Sequence, residues 1–205
     1  MKTKKVSFVR YYEKDDLIDC SIEDLNSFIK AKDKEKIANL IYQRFYNRYI
    51  KIFTFKSSSS EDNKTFKKVY KNGFLILASS CIVIEAISSF IQGVDKTENG
   101  NGKNSYNIFF KKCSEYKNEL RIFQNKELYK NIRNGILHQG ETYEDFLVSR
   151  KGKLFENNII NATLFINHLE EFLKSYKKEL IEKEWDDEIW DNCRRKLRHI
   201  INRSE

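Results

Sequence analysis

Arg133, Asn134 and His138 lie within residues 131–141, which read N-I-R-N-G-I-L-H-Q-G-E. Residues four apart on a helix are neighbours, so Asn134 and His138 share one face. An amide at that spacing can hydrogen-bond one imidazole nitrogen and fix the ring's tautomer. Arg133 sits about 100° further round the helix, with a side chain long enough to reach back. A guanidinium beside an oriented imidazole suits a phosphodiester: the cation holds the phosphate and the imidazole moves a proton. Gly135 interrupts this turn. A mid-helix glycine costs about 1 kcal/mol relative to alanine, so it needs a packing or close-approach reason.

The elements around this stretch must position it. The pattern predicts a long central helix over residues 61–92. From Phe74 to Ile91 it is apolar almost all round, as expected of a buried or membrane helix. Glu85 lies in mid-segment and charged residues flank both ends, which argues for a core helix with one side available to a dimer interface. Glu85, Ser88, Ser89 and Gln92 fall at i, i+3, i+4 and i+7, a polar stripe on an apolar cylinder. A carboxylate buried there needs a partner, and Arg133 or His138 would serve; the alternative is a stripe that reaches solvent at a bundle edge. Residues 127–139 form the motif helix, ended by Gly140, with Lys126 and Lys130 upstream on the same rod as a phosphate path.

Arg133-Asn134-x3-His138 in a largely helical chain resembles the R-x4-6-H signature of the HEPN superfamily, the higher eukaryotes and prokaryotes nucleotide-binding domains. Asn134 matches the polar residue typical after the arginine. The resemblance covers residues 61–140. It implies a helical bundle, a homodimer whose two motifs line one cleft, and a polar or acidic residue on the preceding helix, here Glu85. It further implies metal-independent ribonuclease activity in toxin–antitoxin, antiviral defence or CRISPR-linked systems, with an antitoxin or a larger defence complex as partner. A branch of the family carries R-x4-6-H-x-Y, whose tyrosine an antitoxin adenylylates. Here Gly140 takes that place and the nearest tyrosine is Tyr143, which departs from that route. A second arginine–histidine pair, Arg194 and His199, has Arg195 where the polar residue belongs and reads as a decoy.

The expected chemistry is RNA cleavage to 2′,3′-cyclic phosphate and 5′-hydroxyl ends. His138 would be the general acid or base, Arg133 would stabilise charge on the phosphate, Asn134 would orient His138 or touch the phosphate, and Glu85 would position Arg133. One histidine cannot easily serve both faces of the phosphorus, and a dimer supplies the second. The competing expectation is a non-catalytic HEPN-like module that binds RNA, a nucleotide or a protein. A third is a helical scaffold whose motif is accidental, with Glu85 and His138 far apart.

Composition agrees with a mainly α chain: 205 residues, no proline, seven glycines and 33% charged residues. A net charge of +8 fits an RNA partner or, equally, a lysine-rich solvated surface. Cys20, Cys81, Cys113 and Cys193 are far apart and form no metal-ligand spacing, so neither metal nor cofactor is expected. The first residues lead into no apolar core of a signal peptide, and a cytoplasmic protein free of membrane contact is expected.

Residues 1–56 read as an N-terminal helical extension and residues 57–205 as the HEPN-like bundle, the two forming one unit. Residues 6–12 suggest a strand or extended arm. Ser21 and Asp24 suggest a capping box opening a helix to residue 31, and Asp33 a second helix to residue 53. Arg44, Arg48 and Lys51 on that helix read as a solvated face or an RNA contact. Residues 57–63 and 93–104 read as loops, and Ser105 as the cap of a helix to residue 117. Residues 146–155 suggest a small β-hairpin after the motif helix, and Asn157 or Asn158 the start of a long helix to residue 183. The last helix, from residue 186, carries Arg194, Arg195 and Arg198 as further candidate RNA contacts.

Overall fold

The structure is a computed structural model that describes residues 6–54, 59–69, 72–96 and 101–204. Strand β1 (Ser7–Glu13), expected as a strand or extended arm, pairs antiparallel with β2 (Asp16–Ser21), so the N-terminal part is not helical throughout. Phe8, Val9 and Tyr11 of β1 turn into the core. Ser21 and Asp24 form the expected capping box at α1 (Ile22–Lys30), and Asp33 caps α2 (Lys34–Phe45). A π-helical turn, Tyr46–Ile50, then leads to α3 (Lys51–Thr54). Arg44 is half-buried and Arg48 exposed, and both have a structural task. Both guanidinium groups donate to the Phe8 carbonyl, fastening the hairpin to α2 and the turn after it.

The helix expected over residues 61–92 is two. They are α4 (Ser60–Val69) and α5 (Gly73–Gln92). Asn72 is extended, and its side-chain oxygen accepts from the Phe74 and Leu75 amides, so it starts a new helix. The first part of the loop expected at residues 57–63 lies outside the described residues, as do residues 97–100 of the second loop. Helix α5 is long and apolar enough to span a membrane by length and composition, but most of it is buried inside the protein. It packs against α6 (Gly102–Glu115), α8 (Ala162–Glu182) and α9 (Glu188–Asn202), as a central core helix does. Helix α6 begins before Ser105, which is buried inside it and accepts from Ser88 through its carbonyl.

A 3-10 turn, Glu119–Phe123, carries the chain to a second π-helical turn, Tyr129–Asn134, and the short α7 (Gly135–Gln139). Gly140 ends α7 in the left-handed region, at φ 74°. The expected hairpin over residues 146–155 does not form. Strand β3 (Leu147–Ser149) runs parallel to β5 (Ile159–Asn161), while β4 (Phe155–Glu156) pairs antiparallel with β5. Asn157 and Asn158 are both left-handed and turn the chain from β4 into β5. They do not start the long helix. Asn161 does, accepting from the Leu164 amide at the head of α8.

The fold is therefore mainly helical, with two small sheets among the described residues. One hydrophobic cluster joins the N-terminal and C-terminal parts, from Phe8 and Ile41 through Ile84 and Phe109 to Trp190 and Ile201. All four cysteines are buried and free, and burial pushes the Cys81 and Cys193 thiols up to about 12.

Candidate active site

The π-helical turn Tyr129–Asn134 ends inside the motif. On a regular α-helix, positions five apart stand about 140° from each other. Arg133 stands at the end of the π turn and His138 in the α-helix that follows, and the long arginine side chain spans the difference. Arg133 and His138 are five apart, and Arg133 Nη1 lies 3.0 Å from His138 Nε2. A guanidinium has only donors, so a hydrogen bond at this distance has Nε2 as the acceptor. Arg133 itself is anchored from α5: Nε donates to Glu85 Oε1 at 2.6 Å and Nη2 to Glu85 Oε2 at 3.5 Å. Glu85 holds the guanidinium above its ordinary pKa. The Tyr129 ring faces the same guanidinium, with its centroid 5.4 Å from Cζ.

Asn134 does not reach His138 through any hydrogen bond. Its Oδ1 accepts from Arg133 Nη1 at 3.2 Å. The imidazole is thus oriented by the arginine and not by the amide, whose oxygen is taken by Arg133. The line Glu85–Arg133–His138 runs from a pair that is about one-fifth exposed on each side to an imidazole open to solvent. Of the polar stripe on α5, Glu85 alone meets the motif. Ser88 and Ser89 are buried and donate to backbone carbonyls of Ser105 and Ala86, and Gln92 donates to that of Ser88.

Residues 140–146 fold back over the motif helix. Glu144 pairs with Lys130 and accepts from Asn131 Nδ2 at 3.1 Å, while the Asn131 carbonyl accepts from the Tyr143 amide. Lys130 and then Asn131 hold the Glu144 carboxyl below its ordinary range. Gly135 has the close-approach reason its position demands, since a Cβ there would overlap the Glu141 carbonyl oxygen. None of this clasp could be read from the sequence beyond the glycine itself, and no pattern announced Tyr129 as the ring facing Arg133.

Comparison of the chain with protein-family models, curated proteins and solved structures finds no match. The site is therefore argued from its own geometry. The remaining candidate contacts separate. Lys126 precedes the motif helix rather than lying on it, and its ammonium sits 5.3 Å from the centre of the Phe155 ring. Lys130 is engaged by Glu144. Arg194 is committed to structure: it donates to the Trp185 carbonyl, pairs with Asp191 and stacks on the Trp185 ring. Arg195 donates to Asn192, and Arg198 is exposed. This basic helix meets α5 where Asn192 packs on Gly93, eight residues and about 12 Å along the axis from Glu85. It forms no part of the Arg133 cluster. The second arginine–histidine pair is not joined either, since Arg194 turns to Trp185 while His199 lines a separate cavity with Arg195. Among the described residues no three His, Cys, Asp or Glu side chains group as metal ligands.

Proposed function

We propose that the chain is a HEPN-like, metal-independent endoribonuclease acting as a homodimer in a bacterial toxin or antiviral defence system. The observation that carries the reading is the solvent-open His138, its Nε2 held 3.0 Å from an arginine that Glu85 fixes from the neighbouring helix. An accidental motif would not place Glu85, Arg133 and His138 in one bonded line.

In the resting site Arg133 Nη1 occupies the lone pair that a general base needs. An incoming phosphate competes for that donor. When Nη1 turns to a phosphate oxygen, His138 Nε2 is released to take the 2′-hydroxyl proton. The oxygen then attacks phosphorus, the 5′-oxygen leaves, and Arg133 balances the charge that develops on the phosphoryl oxygens. A second His138 across a dimer cleft protonates the leaving oxygen. RNA cut this way carries a 2′,3′-cyclic phosphate and a 5′-hydroxyl. Products should accept label from polynucleotide kinase without prior dephosphorylation; products with 5′-phosphate ends would sink this mechanism.

A dimer is supported by the face that carries Glu85. Leu75, Ala78, Ile82 and Glu85 recur at helical spacing on the incompletely buried side of α5, with Leu75 55% and Ile82 42% exposed. Leu137, beside His138, is also exposed. Large apolar side chains grouped beside a polar site mark an association surface. Ile82→Glu should convert a dimer to a monomer in sedimentation velocity while circular dichroism shows the helical fold retained. A wild-type protein that is monomeric at tens of micromolar would contradict the dimer.

One observation favours the second reading, a non-catalytic HEPN-like module that binds RNA, a nucleotide or a protein. Arg133 spends Nε, both bonds of Nη1 and one of Nη2 inside the protein. A guanidinium held that fully is also what a purely structural role requires.

A further inference from the structure

A cavity of about 250 Å³ lies beside the motif helix, and one side chain belongs both to it and to the candidate active site. That side chain is Tyr129, whose ring faces the Arg133 guanidinium and also lines the cavity. Its hydroxyl is seated against Gly102 at the start of α6, where any side chain would overlap it. The ring is therefore fixed, and Gly102 is the residue that lets it sit there.

The cavity walls have a consistent chemistry. Tyr106 meets Tyr129 edge to face with centroids 5.4 Å apart, and Phe110 follows at 6.1 Å from Tyr106, so the inner wall is aromatic. The outer wall is made of amides: Asn107, Gln124 and Asn125. The Gln124 Oε1 accepts from Ser114 Oγ at 3.1 Å, which leaves its NH2 group as a donor. Asn107 and Asn125 have no hydrogen-bond partner among the described residues, so each offers a donor and an acceptor at the rim. Lys103 and Glu127 neutralise each other there at 2.9 Å, and Lys126 stands exposed beside them.

We propose that this cavity binds an unpaired RNA nucleobase next to the scissile phosphate. A nucleobase is flat and aromatic, carries donors and acceptors on its edges, and has no charge. Those properties match aromatic rings faced by amides with donors and acceptors to spare. Adjacency fixes the order along the strand: with the phosphate at Arg133, a base on the neighbouring nucleotide reaches past Tyr129 into the cavity. Lys126, removed from the motif helix by the structure, then serves the backbone of that same nucleotide. The choice of RNA as ligand rests on the ribonuclease reading, and the base selectivity does not.

The test is fluorescence anisotropy with four labelled four-nucleotide RNAs, each a homopolymer of A, C, G or U. The proteins are His138→Ala, which leaves the RNA uncut, and the same protein with Asn107→Ala or Gln124→Ala added. Both amides are exposed, so these substitutions leave the core intact. The expected result is one RNA bound about tenfold or more tightly than the weakest, with that spread falling to about threefold or less when an amide is removed. Binding of all four alike, no binding of any, or a spread that survives both substitutions overturns the proposal. Wild-type cleavage of mixed RNA reads the other claim separately. Cleavage without base discrimination removes the base pocket and keeps the nuclease; discrimination without cleavage keeps the pocket and removes the nuclease.

Discussion

Arg133→Ala is expected to lower RNA cleavage by about a hundredfold to a thousandfold, the range found when a preorganised donor to developing charge is removed. The same change should destabilise the fold by about 1–3 kcal/mol, because it leaves Glu85 less than a quarter exposed and without its ion-pair partner. The two losses can be separated. Arg133→Lys keeps a positive charge for Glu85 but cannot make the fork that reaches Glu85, Asn134 and His138 together. It should recover most of the stability and little of the activity. Single-turnover cleavage and thermal unfolding, measured on both variants, check this. Full activity in Arg133→Lys would mean that the charge alone matters and that the bonded line is incidental.

Gly135→Ala is expected to destabilise the protein, against the ordinary helix preference. Alanine in place of glycine within a helix normally gains about 1 kcal/mol. Here the added methyl would overlap the Glu141 carbonyl oxygen, which is backbone and cannot swing aside as a side chain can. Forcing such a contact costs about 1–3 kcal/mol or more, so the steric effect should outweigh the propensity. Relief requires residues 140–146 to lift from the helix, which breaks the Glu144 contacts with Lys130 and Asn131. Activity should therefore fall together with stability. Gly140→Ala is the comparison: nothing stands within 4 Å of a Cβ there, so only the left-handed φ opposes it. Urea unfolding midpoints for the two variants decide the matter. A Gly135→Ala protein more stable than wild type would show that the loop yields freely.

The helical class, the capping box at Ser21, the buried character of residues 73–92 and the pairing of Glu85 with the motif arginine were all readable in advance. Each rests on local spacing or on the need of a buried carboxylate for a partner. Local patterns do not report where the backbone interrupts itself. Asn72 starts a new helix just before the apolar run because its side chain takes the first helix amides. The strands after the motif helix do not pair with each other as the sequence pattern suggests, because β5, further along the chain, takes the central place between β3 and β4. Helical spacing points Asn134 at His138, yet its side-chain oxygen accepts from the adjacent Arg133. Arg44, Arg48 and Arg194 looked like surface charge in sequence, yet each donates to a backbone carbonyl distant in the chain or beyond its own helix. A guanidinium that satisfies a carbonyl is indistinguishable in sequence from one that awaits a phosphate.

The central claim is that His138 moves a proton on RNA. The most direct measurement is single-turnover incubation of a mixed RNA with purified wild-type protein in excess EDTA, beside His138→Ala prepared identically. His138 is exposed, so its loss should leave thermal unfolding unchanged. The expected result is cleavage by the wild type and a rate lower by about a hundredfold to ten-thousandfold in the variant, the contribution of a positioned acid or base. Equal cleavage by both proteins, or none by either, would contradict it.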